Sequence, residues 1–196
     1  MRAKGFEEIS PQRKYHGIST QIIAQIKNVR VPFNVDIGVG DIIVPHAEER
    51  TINTQLPDFE APVIKTYSLE STIAEKFDAI LQRFELTGRM KDFYDIYYLS
   101  RTFNFEGAKL QAAIFETLQR RGTPYDRDSF KRVVALGDDE DMQKRWKFFL
   151  KTIKDDTLDF SVVITEIQTF LEPVFDAIVN EDEWQNRWDT KVKGWR

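Results

Sequence analysis

The 196-residue chain carries a net charge of -4 and no cysteine, with 41% hydrophobic and 31% charged residues. That balance describes a globular protein able to bury a core, as one large domain or two small ones. It excludes disulfides, thiolate metal sites and a global basic field for nucleic acid. With no run of about 18 apolar residues and no apolar N-terminal core, it predicts a soluble cytoplasmic protein without a membrane partner.

Residues 1 to 14 are polar and mixed in charge, and read as a loop. From Ile18 to Lys27, Ile22, Ala24 and Ile26 alternate with Gln21, Gln25 and Lys27, the period of a half-buried strand. A turn at Asn28-Val29-Arg30 and a strand start at Pro32 follow. Phe33, Val35, Ile37 and Val39 then form one face, and Asn34, Asp36, Gly38 and Gly40 the other. Ile42 to Val44 extend that strand, giving a two- or three-stranded antiparallel unit. Residues 45 to 66 hold three prolines and read as a connection, with short strands near Thr51 to Leu56 and Val63 to Lys65.

From Tyr67 the pattern is helical almost to the end. Leu69, Ile73, Phe77, Ile80 and Phe84 fall on one helical face, with Ser68 as N-cap and Gly88 as a left-handed stop. A second helix holds Asp92, Asp95, Ile96 and Leu99. Further helices are predicted near 106–121, 126–135, 139–153 and 159–179, with stops at Gly122 and Gly137 and a kink or break at Pro173. Trp184, Trp188 and Trp195 in the tail either dock on the helical body or form a partner-binding stripe.

Lys76 breaks its helix pattern. It lies three residues after Ile73 and four before Ile80, so it projects from the apolar stripe. Such a lysine reaches water along its stem, pairs with a carboxylate, or contacts an anionic ligand. Asp92 and Asp95, flanked by Arg89 and Lys91, are its candidate partners. Asp36, on the polar face of a glycine-flanked strand, suits a solvated sheet face or a metal or phosphate site. His16 and His46 have no metal-ligand spacing, and Gly38-Val39-Gly40 is too short for a phosphate loop.

The run YSLESTIAEKFDAILQR followed by GRMKDFYDIYYL resembles the AbiEii/AbiGii abortive-infection toxin family of minimal nucleotidyltransferases. FNVDIGVGDIIVP resembles the strand carrying that family's later acidic position. The likeness covers roughly residues 18 to 105 and extends loosely over the helical remainder.

The resemblance implies nucleotidyl transfer from a nucleoside triphosphate, with Mg²⁺, to an RNA (tRNA) or protein acceptor. It also implies growth arrest or phage defence restrained by a cognate antitoxin. By resemblance Lys76, with Arg89 and Lys91, binds the nucleotide, Asp92 and Asp95 are catalytic, and Asp36 is a metal ligand. The family's first motif, Gly-Ser followed by Asp-x-Asp, has no counterpart here. The chain therefore resembles the family's protein without its N-terminal part, and is expected to be silent in catalysis by itself.

Two other readings stay open: a non-catalytic helical interaction protein derived from that family, and a structural domain in which Lys76, Asp92 and Asp95 form a buried ion-pair network. The expected fold is α+β. A small, mostly antiparallel nucleotidyltransferase-like sheet region (1–66) packs on a helical region (67–196), and an exposed sheet edge favours a homodimer.

Overall fold

The computed structural model describes residues 2–9, 17–38, 43–84, 88–155 and 157–196. The chain divides into two compact units, Met1–Ile42 and Ile43–Arg196. The class is α+β, as expected.

In the first unit β1 (Arg2–Ile9), β2 (Gly17–Ile26) and β3 (Val29–Gly38) form an antiparallel sheet in the order β1-β2-β3. The polar lead-in thus contains a strand rather than only a loop. Antiparallel pairing uses backbone groups and tolerates a polar sequence, so hydropathy does not reveal it. The β2–β3 turn is also tighter than expected. Ile26 pairs with Val29 and Gln25 with Arg30, leaving only Lys27 and Asn28 to turn, with Lys27 at φ 54°.

This register puts Ile18, Ile22, Ala24 and Ile26 opposite Ile37, Phe33, Val31 and Val29. Alternation holds, but burial does not follow it: Phe33 is 38% exposed and Ile37 48%. His16 and the expected continuation through Val39, Gly40 and Ile42 lie outside the described residues.

The second unit begins with a two-stranded hairpin, β4 (Glu48–Thr51) and β5 (Val63–Thr66). Six helices follow among the described residues: α1 (Leu69–Arg83), α2 (Met90–Thr102), α3 (Gly107–Arg121), α4 (Ser129–Ala135), α5 (Glu140–Ile153) and α6 (Phe160–Asn180). Ser68 caps α1 as expected, its Oγ accepting from the Ser71 N–H at 3.0 Å. Gly88 is not the stop. The helix ends at Arg83 and Phe84 caps it at φ 39°, a left-handed position usually left to glycine. Gly122, at φ 62°, does close α3 as the sequence predicts.

The core forms around α6. Val163, Ile167, Phe170, Leu171, Val174 and Phe175 are all fully buried, and α6 packs against α2, α3 and α4. Phe77 of α1 meets Phe175 edge-on with ring centroids 5.7 Å apart. The helix runs unbroken through Pro173, so the expected break is absent. Burial of so many apolar side chains outweighs the single backbone hydrogen bond that a proline removes.

The tail is not helical. Trp188 on β7 (Arg187–Asp189) and Trp195 on β8 (Gly194–Trp195) build a small sheet with β6 (Phe105–Glu106). Trp188 is 1% exposed and its Nε1 donates to the Ser100 carbonyl at 2.6 Å. Gly107 lets the tail approach, since a Cβ there would lie 2.5 Å from the Asn186 carbonyl oxygen. The tryptophans therefore dock on the body.

Candidate functional site

Position 76 of α1 faces α2 because the neighbouring stripe residues Ile73, Phe77 and Ile80 are buried at the same helical face. The Lys76 ammonium lies 2.5 Å from Asp95 Oδ2 and 3.3 Å from Asp92 Oδ1. From the start of α2, Arg89 Nε sits 2.7 Å from Asp92 Oδ2, and Lys91 Nζ sits 2.6 Å from Asp95 Oδ2. Five of the six residues singled out from sequence thus come together in one cluster.

Exposure is graded across that cluster. The side chain of Asp92 is 3% exposed, whereas Arg89 is 51% exposed and Lys91 71%. Burying Asp92 carries a desolvation cost that Lys76 and Arg89 offset by direct pairing. The offset is incomplete in geometry: Asp92 Oδ2 is buried and receives no aligned hydrogen bond, although Arg89 lies close. Among the described residues, three cations (Lys76, Arg89 and Lys91) pair with two carboxylates (Asp92 and Asp95). The arrangement holds the buried Asp92 carboxylate in a fixed place beside the exposed Arg89 and Lys91 side chains.

Asp36 belongs to the other unit. It is exposed on β3, and its Oδ1 accepts a hydrogen bond from Ser19 Oγ of β2 at 2.6 Å. Among the described residues no group of three His, Cys, Asp or Glu side chains is placed to hold a metal ion.

Two features escaped the sequence reading. Asp78, two residues past Lys76, is fully buried and accepts hydrogen bonds from Thr123 and, at 3.0 Å, from Gln82; Arg121 stands 3.5 Å away. Burial holds its carboxyl above the usual range, with Thr123, Arg121 and Gln82 pulling the other way. This network ties α1 to the end of α3. Two of those partners, Thr123 and Arg121, lie over forty residues away, so helical periodicity could not reveal it.

The second is a groove of about 520 Å³ where Arg89 and Lys91 meet Lys144, Arg145 and Phe148 of α5. The basic spacing along α5 was legible, but its neighbourhood to Arg89 was not.

The chain matches the family model described as nucleotidyl transferase AbiEii toxin, type IV TA system, over residues 2–187. It belongs to the AbiEii family. The match takes in β1 and the α3–α6 body as well as the region on which the resemblance rested. AbiEii membership makes this a nucleotidyltransferase-like toxin of a toxin–antitoxin system and implies a cognate antitoxin. Among the described residues, no helix is long and apolar enough to cross a membrane. No curated protein and no solved structure matches the chain.

Proposed function

We propose that the Lys76–Asp92–Asp95 cluster is the nucleotide-handling part of a transferase that moves a nucleotidyl group from a nucleoside triphosphate to an RNA or protein acceptor, acting in growth arrest or phage defence. The observation that carries it is Lys76, drawn from an apolar helix stripe to within 3.3 Å of two aspartates in a family of nucleotidyltransferases. Lys76, Arg89 and Lys91 are the cations for the triphosphate, the last two being the exposed ones. Asp92, held between Lys76 and Arg89, is proposed as the group that accepts a proton from an attacking hydroxyl, with Asp95 holding the Lys76 ammonium beside it.

Mg²⁺ is the cofactor that the family implies, and Asp36 is proposed as one of its ligands. One exposed carboxylate does not make a Mg²⁺ site, and the described residues supply no metal-holding group. No step is therefore assigned to a metal. The chain by itself is expected to bind a triphosphate without completing transfer.

The test is calorimetry of ATP, CTP, GTP and UTP with the wild-type chain and Lys76→Ala, beside transfer assays with labelled triphosphates. Binding that needs Lys76 supports the reading. No binding of any triphosphate favours the ion cluster as structure in a non-catalytic interaction protein. Transfer by the unaided chain refutes the expectation of silence.

A homodimer is also proposed. Among the described residues β3 is an outer strand of its sheet, its edge suited to backbone pairing with a second copy, and its apolar side chains Val31, Phe33 and Ile37 are exposed on the face. A monomer in light scattering at high concentration would sink this proposal.

A further inference from the structure

α5 is acidic in its first turn, at Glu140 and Asp141, and basic beyond it. Between Lys144 and Lys154 the chain carries five cations, Lys144, Arg145, Lys147, Lys151 and Lys154, and no acidic residue, although its net charge is -4. Met142, Trp146 and Leu150 turn inward and are buried. Helical spacing therefore puts Lys144, Lys147 and Lys151 together on the outer face, about one turn (~5 Å) apart.

Next to them lies Phe148, a large aromatic ring 72% exposed, on the groove that also holds Arg89 and Lys91. Lys144 is partly neutralised by Asp141 at 3.0 Å, whereas Lys147 and Lys151 form no ion pair among the described residues. At its N-terminal end the stripe enters the groove shared with Arg89 and Lys91, the exposed cations of the ion cluster.

We infer that this face of α5 binds single-stranded RNA, with Lys147 and Lys151 on phosphates and a base stacked on Phe148. A positive stripe alone would suit any polyanion. The exposed phenyl ring beside the cations favours a ligand that alternates negative charge with flat faces able to stack, as a nucleic acid strand does and a purely acidic peptide does not. A single strand fits because its bases are free to stack.

The inference rests on the proposed transfer reaction only for the purpose of the RNA, as acceptor. The binding itself is independent of any nucleotide.

Fluorescence anisotropy of a labelled single-stranded RNA of about twelve nucleotides, without triphosphate, tests the surface directly. Binding should weaken steeply with salt. Lys147→Ala/Lys151→Ala should lower the slope of log K against log salt by about 1.4, which is about 0.7 for each phosphate that is no longer neutralised. Phe148→Ala should weaken binding roughly five- to a hundredfold while leaving the slope nearly unchanged. All three positions are exposed, and an unchanged thermal melt would show that each variant folds.

No binding by the wild-type chain would overturn the inference. So would binding by both variants equal to that of the wild type, or poly-glutamate competing as well as RNA. RNA binding with these signatures, alongside no triphosphate binding, would uphold the surface and remove the transfer reading.

Discussion

The β2–β3 hairpin and the α1–α2 pair both display regular apolar periodicity, yet they use it differently. In α1 the middle of the stripe is fully covered, with Ile73, Phe77 and Ile80 at most 1% exposed, and Leu69 and Phe84 at its ends are half-buried. In β3 the equivalent set stays open, with Val31 50% and Ile37 48% exposed. Periodicity decides which side chains share a face; what covers that face is a separate matter. Inside the covered region a polar residue must find a partner or carry a desolvation cost, so Lys76, Asp78 and Asp92 are all tied into networks. On the open hairpin Asp36 needs no such tie beyond Ser19.

The sharpest way to break this contrast is a pair of truncations. Phe77→Ala should destabilise the helical unit by about 3–5 kcal/mol, because a fully buried ring leaves a cavity. Phe33→Ala, at a ring 38% exposed, should cost under about 1 kcal/mol. Urea unfolding of the two variants measures both, and equal losses would mean that the hairpin face is covered in solution.

Next in size is Lys76→Met. Leaving a buried charge wholly unpaired costs about 3–5 kcal/mol, but Arg89 and Lys91 remain beside Asp92 and Asp95, so about 2 kcal/mol is expected. A melting temperature unchanged or raised would show that the lysine is held for a ligand at the expense of stability.

Asp78 gives a prediction in pH. Its folded carboxyl keeps a proton to higher pH than the unfolded one, near 3.8, so the native state holds the extra proton above that value. Stability from this group is therefore greatest below pH 3.8 and declines as pH rises through the raised folded value. Asp78→Asn removes the titration. In urea unfolding from pH 4 to 7, the wild-type chain should lose ground relative to the variant as pH rises; a constant difference would count against a raised carboxyl.

The smallest effect belongs to Lys91→Ala. An exposed i,i+4 pair with Asp95 contributes about 0.3–0.5 kcal/mol, an amount that 1 M salt should largely abolish.

Much of this molecule was legible in the residues alone. Ser68, Gly122 and the 3.6-residue spacing set the start of α1, the end of α3 and most helix positions within a few residues, because caps and amphipathic stripes act locally. The irregular placement of Lys76, Asp92 and Asp95 marked the cluster before any distance was known, since a charge on an apolar face has few tolerable fates.

What tertiary structure decided was everything that depends on a distant neighbour. It made a strand of Arg2–Ile9 by pairing with β2, carried α6 through Pro173 by surrounding it with core, and drew Trp188 to Ser100. It also brought Thr123 to Asp78 and the basic face of α5 to Arg89. Periodicity reports only which residues share a face of one element. The partner that a face meets depends on contacts across the chain, which no local pattern records.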